Sequence, residues 1–215
     1  MSEDSASALK AALDRYVDPF LGDTLGAAQA VRAVEARGTG FVAKIALGFP
    51  VGGYAPELEA ALRAHLHAAA IDTPLQVELE ADIRAHSVQK QLKPLSGIKN
   101  IVAVASGKGG VGKSTVAVNL ALAWAAQGAR VGLLDADIYG PSQPLMLGLE
   151  GQRPGSPDGK TLEPLVSHGI SAMSIGFLVD QEQPMVWRGP MVTQALTQLL
   201  SETHWGELDY LVVDM

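Results

Sequence analysis

The chain has 215 residues, 47% hydrophobic and 18% charged, with a formal net charge of −7 and no cysteine. That composition is globular and sufficient for one or two domains, and the acid excess argues against a protein whose main task is to neutralise nucleic-acid phosphates. Disulfides, thiolate metal ligands and a cysteine nucleophile are excluded.

The start, MSEDSASALK, lacks the basic and apolar regions of a secretory signal. The best apolar run, VAVNLALAWAA from Val116, is too short to span a bilayer and carries Asn119. A cytoplasmic protein without nucleic-acid or membrane partners is expected. ASALKAALDRY, from Ala6 to Tyr16, has the spacing of an amphipathic helix, and VDPFLGDTLG then punctuates the chain with Pro and Gly. Two strands are predicted near Ala30–Ala36 and Phe41–Leu47, joined by a hairpin turn at RGTG. After the break FPVGGYAP, the run PELEAALRAHLHAAA predicts a helix with Glu57 and Glu59 in its first turn, where acids favour the dipole. LQVELEADI, from Leu75, alternates as a third strand. The order α-β-β-α-β predicts a small α+β domain over residues 1–86. His65 and His67 stand two apart on its helix and point to different sides, so a metal pair is not expected.

Residues 87–99, SVQKQLKPLSGIK, are polar and basic and predict a linker. From residue 100 to 215 the texture changes. NIVAVAS has the continuous apolar character of a buried parallel strand; a Gly-rich loop follows, then a helix to about Gln127 closed by Gly128, then a second buried strand, RVGLLDAD. Together they make a βαβ unit. EGQRPGSPDGK predicts a surface excursion, MVTQALTQLLSETH a helix, and LDYLVVDM a third buried strand closed by Asp214. His86, His168 and His204 have no ligand partners in sequence and are expected on the surface or in loops, and Trp187 with Arg188 reads as a packed aromatic before a helix. With GKGGVGKS, a G-x-x-x-x-G-K-[ST] loop, between its first strand and helix, the predicted fold is α/β, a P-loop NTPase parallel sheet preceded by the small α+β domain. Three βα units leave such a sheet incompletely covered, so a fragment of a longer protein is expected.

The Gly-rich loop, SGKGGVGKST, matches two phosphate-binding patterns. Gly107, Gly112, Lys113 and Ser114 fit G-x-x-x-x-G-K-[ST], while Gly107, Gly109 and Gly112 fit the dinucleotide fingerprint G-x-G-x-x-G. Both curl backbone N–H groups round an anion at a helix start. Asp135, about 23 residues past Gly112, stands where a dinucleotide fold places its ribose-binding acid. Lys113 and Ser114, however, suit a terminal phosphate and Mg²⁺, which a dinucleotide site lacks. Asp137 is an acid that the dinucleotide fold does not require, and Asp214 supplies a strand-end carboxylate for a magnesium shell. Taken alone, Asp135 and Asp137 fit helix caps or turn formers equally well.

With its additional Lys108, KGGVGKST resembles the deviant P-loop of the MinD/nitrogenase-iron-protein class. Beyond the loop, DADIYGPS, MSIGFLV, VWRGPMVTQAL and WGELDYLVVDM resemble the Mrp/ApbC iron–sulfur cluster carrier ATPases, over Asn100–Met215. The first 85 residues are similar, more loosely, to a small iron–sulfur-assembly domain, with Phe49 and Pro50 where some relatives carry a cysteine; a docking or structural role is expected there. The resemblance implies an ATP site formed by Gly107, Lys108, Gly109, Gly110, Val111, Gly112, Lys113, Ser114 and Thr115. It implies Lys113 on the β- and γ-phosphates, Lys108 reaching across a homodimer to the partner's ATP, and Asp137 orienting the attacking water. Ser114, Asp135 and Asp214 are implied around Mg²⁺. A [4Fe-4S] cluster is implied only for the full-length protein, on cysteines beyond Met215, with delivery to iron–sulfur apoproteins and contact with assembly factors. The competing readings are a partition- or septum-positioning ATPase of the same class and a dinucleotide-dependent oxidoreductase.

Overall fold

The structure, a computed structural model, describes residues 3–86, 95–178 and 189–215. Two compact units divide the chain, Met1–Ile83 and Arg84–Met215. Residues 87–94 of the expected linker, Trp187 and Arg188 lie outside the described residues. Among those described, no helix is long and apolar enough to cross a membrane.

In the first unit, α1 (Glu3–Leu13) is followed by the two-residue strands β1 (Val17–Asp18) and β2 (Asp23–Thr24), which pair antiparallel. This small ladder lies in the segment expected to be only Pro/Gly punctuation. Its anchor is Asp18, fully buried, which accepts from the backbone N–H groups of Phe20 and Leu21 and from the Tyr54 hydroxyl. The strands β3 (Val31–Arg37) and β4 (Gly40–Leu47) form the hairpin announced by RGTG: Arg37 faces Gly40, and Gly38 takes a φ of 60°. The helix α2 (Ala55–Ala68) then carries the chain to β5 (Leu75–Ala81), which pairs parallel with β4. Leu58, Leu62 and Leu66 recur every four residues on α2, so they form one stripe, and all three are buried with Ile45, Leu47 and Leu75. His65 bonds the Ala12 carbonyl oxygen through Nε2, whereas His67 is exposed.

The second unit is built on a five-stranded sheet. Its elements are β6 (Ile98–Val104), α3 (Lys113–Ala126), β7 (Val131–Asp135), α4 (Gln143–Met146), β8 (Leu165–Ser167), β9 (Ile170–Ser174), α5 (Gly189–Ser201) and β10 (Leu208–Asp214). The strand order is β6-β10-β7-β9-β8, parallel except for β8. β6 starts inside the segment expected to be linker, because Ile98 pairs with Leu208 and is buried. The last strand in sequence thus lies between the first two. Gly132 permits the packing under β7: a Cβ there would meet Leu208 Cδ1 at 2.6 Å and Leu211 Cδ1 at 2.9 Å.

β8 and β9 were not expected from the sequence. They form a hairpin about His168 and Gly169, whose φ angles of 49° and 79° are those of a two-residue turn of the primed type. His168 is exposed at that turn. β9 extends the sheet beyond β7 and buries Ile170, Ala172 and Met173.

Candidate functional site

Strand register assembles the site. Asp214, the last residue of β10, lies opposite Val104 on one side and Asp135 on the other, and Asp135 in turn lies opposite Ser174. Both acids therefore sit at the carboxyl end of the parallel strands, next to the loop that leaves β6, the location where open α/β sheets bind ligands.

The loop Gly107–Gly112 is exposed. Gly110 and Gly112 take φ angles of 74° and 87°, which other residues adopt only with strain, and Gly112 caps α3. A Cβ built at Gly107, Gly109, Gly110 or Gly112 meets nothing within 4 Å. Their glycine character is thus not explained by internal crowding, and the space over them is open to a ligand. At its start the loop is held by Ser106, whose Oγ accepts from the Lys108 backbone N–H at 3.1 Å and lies 2.9 Å from the Lys108 carbonyl oxygen.

Lys113, the first residue of α3, is the charge centre. Its Nζ ion-pairs with Asp214, lies 3.6 Å from Asp137 Oδ2 and donates to Ser114 Oγ at 3.2 Å. Asp214 is fully buried, and the Lys113 side chain is 15% exposed. An ammonium in this position lies within reach of an anion on the loop while neutralising the acids beneath it.

Asp135 joins this group indirectly. Its Oδ1 accepts from the Asp137 N–H, and its Oδ2 accepts from the Gln143 N–H at 3.1 Å and from Ser174 Oγ at 3.2 Å. Burial pushes its carboxyl up to about 6; those hydrogen bonds oppose the rise, and the neighbouring Asp214 charge adds to it. Both oxygens of Asp135 are thus engaged within the protein.

Lys108, Val111 and Thr115 are exposed and stand outside the Lys113 network. Two participants escaped the sequence reading. Gln143, 1% exposed, donates from Nε2 to the Ser114 carbonyl oxygen at 3.1 Å and to Asp214 Oδ2 at 2.8 Å, and Ser174 supports Asp135 from β9. No periodicity or motif in the sequence marks either residue.

The donor set suits magnesium. Ser114 Oγ and the Asp135 and Asp214 carboxylates are hard oxygen ligands, and each carboxylate has about four lone-pair sites, of which the hydrogen bonds described occupy three on Asp135 and two on Asp214. Against the three carboxylates of Asp135, Asp137 and Asp214 stands the one ammonium of Lys113, a deficit that a divalent cation would correct. Among the described residues no group of three or more His, Asp or Glu forms a metal cage by itself.

Comparison with known proteins identifies the family. The chain is 60% identical over 141 residues to an iron–sulfur cluster carrier protein of Pseudomonas fragi, covering 65% of this chain and 49% of that protein. It is 65% identical over 121 residues to the iron–sulfur cluster carrier protein of Escherichia coli K12, covering 56% of this chain and 33% of the relative. It is 54% identical over 135 residues to the mouse iron–sulfur cluster transfer protein NUBPL, covering 62% and 42%. The chain thus spans about half or less of the length of these relatives. Residues 97–215 match the ParA family model, described as NUBPL iron-transfer P-loop NTPase, and the chain belongs to that family.

Proposed function

We propose that this chain carries the nucleotide-binding part of an ATP-hydrolysing iron–sulfur cluster carrier that works as a homodimer and delivers clusters to apoproteins. The observation that carries the reading is the convergence on Lys113 of Ser114, Asp137 and Asp214 beneath a glycine loop open to solvent. The relatives' names supply the cargo. Because the chain contains no cysteine, thiolate ligands for a cluster are not among these 215 residues.

The loop N–H groups of Gly107–Gly112, with Thr115 at the helix start, bind the phosphates of ATP. Lys113 moves from its acids onto the β- and γ-phosphates, and Asp137, released from the ammonium, orients the attacking water. Ser114, Asp214 and Asp135 would hold Mg²⁺, which when bound would neutralise charge at the phosphates. Lys108, on the exposed edge of the loop, reaches the ATP of the partner subunit and stabilises charge there as an arginine finger does. The first unit, over the predicted span 1–86, serves as a docking or structural module.

Nucleotide retention tests the reading. Purified chain mixed with labelled ATP and with NADH is expected to retain ATP in a magnesium-dependent manner; retention of NADH alone overturns it. In the full-length protein, loss of cluster transfer on removing the P-loop lysine is the matching functional result.

A further inference from the structure

We propose that Gln143 is a positioning residue for magnesium-dependent nucleotide binding, holding the Asp214 carboxylate in place once Lys113 leaves it for a phosphate. The inference rests on the nucleotide reading given above and adds a residue to it.

Gln143 touches three separate parts of the site. Its Nε2 donates to the Ser114 carbonyl oxygen, at the first turn of α3, and to Asp214 Oδ2, at the end of β10. Its backbone N–H donates to Asp135 Oδ2, at the end of β7. Since both side-chain partners are acceptors, only the NH₂ end of the amide can face them, which fixes the amide orientation without ambiguity.

That orientation has a cost. Gln143 Oε1 is buried and finds no partner among the described residues, and the adjacent Ser142 Oγ is buried and unpartnered as well. A buried polar group left unsatisfied is costly, because its desolvation is not repaid. An apolar side chain of similar length would remove that cost but leave Asp214 Oδ2 and the Ser114 carbonyl oxygen without their donor. What the amide gives in return for its unpartnered oxygen is the hold on Asp214 and Ser114.

The two oxygens of Asp214 have different partners. Oδ1 pairs with the Lys113 ammonium, a contact that phosphate competes for, whereas Oδ2 is held by Gln143 of α4. When Lys113 is drawn to an anion, the Gln143 bond remains to define the carboxylate plane. Partners that orient a metal-binding carboxylate typically contribute 10–100-fold to metal affinity when tested by substitution.

The test separates magnesium dependence from nucleotide affinity. A fluorescent ATP analogue is titrated into the 215-residue chain, first in EDTA and then over a series of Mg²⁺ concentrations, for wild type, Gln143→Leu and Gln143→Met, with thermal melts confirming the fold. Both variants are expected to raise the Mg²⁺ concentration for half-maximal tightening by about tenfold, with affinity in EDTA unchanged within about twofold. An unmoved Mg²⁺ midpoint in a folded variant, an equal loss in EDTA, or failure of both variants to fold overturns the proposal. A wild-type chain that binds ATP without any response to Mg²⁺, or not at all, overturns the nucleotide reading together with it.

Discussion

Lys113 and Asp214, 101 positions apart in sequence, form an ion pair in which the carboxylate is fully buried. The pair brings the first residue of α3 onto the last residue of β10, so the helix start and the sheet end are fastened at the point where phosphate is to bind. Breaking a buried pair by removing one partner costs roughly 3–5 kcal/mol, because a charge is left uncompensated. Lys113→Ala is therefore expected to lower the unfolding free energy of the nucleotide-free chain by an amount of that order and to abolish ATP binding. Asp214→Asn, which removes the buried charge itself, is expected to cost less. Denaturant melts of the two variants check this, and a Lys113→Ala chain as stable as wild type would contradict it.

Lys108 predicts a different outcome. It lies on the exposed loop outside the Lys113 network, with its backbone fastened by Ser106. If its ammonium acts on the ATP of the other subunit, Lys108→Ala leaves binding nearly intact and removes turnover, by 10³-fold or more on the scale of about 10³–10⁵ for a trans-acting arginine. Phosphate release and analogue binding, measured on the same preparation of full-length protein, separate the two effects. Equal loss of binding in Lys108→Ala and Lys113→Ala would remove the role across the dimer.

The parts of this site that follow a local rule were legible in the sequence. The glycine spacing around Lys113, the apolar run of β7 before Asp135 and that of β10 before Asp214 each announce themselves within a dozen residues. What was not legible depends on long-range pairing: nothing local says that β10 inserts between β6 and β7, and only that insertion sets Asp214 beside Asp135. The β8–β9 hairpin was missed because LVSHGISAMS is short and rich in small polar residues, although a residue followed by Gly between alternating apolar positions is a hairpin signal. Gln143 and Ser174 carry no periodicity and no motif. Their importance arises from burial against two acids, which appears only once the chain is folded.

Asp135 makes the nucleotide-free chain sensitive to mild acid. Burial raises its carboxyl to about 6, above the value near 4 expected in the unfolded chain. The folded state then binds the proton more tightly, so the ionised group opposes folding at neutral pH, and stability rises as pH falls through 6 toward 4. Between pH 7.5 and pH 5 the gain is about 1 kcal/mol. Wild type is expected to gain that much relative to Asp135→Asn, which has no carboxyl to titrate, when unfolding is followed at both pH values. Parallel pH profiles for the two chains would show that Asp135 is not strained in this way.

Asp209 acts in the opposite direction and in a lower window. Burial by itself would raise its carboxyl, but the Lys99 ammonium at 2.8 Å, the Arg130 backbone N–H at 2.9 Å and the Arg130 guanidinium outweigh burial and hold it at about 2. Lys99 belongs to β6, Arg130 directly precedes β7 and Asp209 is the second residue of β10, so one carboxylate clamps three adjacent strands at the end of the sheet remote from the nucleotide loop. Its stabilisation is present above pH 4 and is lost as pH falls through about 2. With Arg130 half exposed, solvent screening reduces the effect to about 1–2 kcal/mol. Asp209→Asn is expected to destabilise the chain by that amount at pH 7 and to flatten its loss of stability between pH 4 and pH 2, while ATP affinity at neutral pH stays unchanged because the clamp lies away from the loop. An acid limb as steep in Asp209→Asn as in wild type would place the acid sensitivity elsewhere.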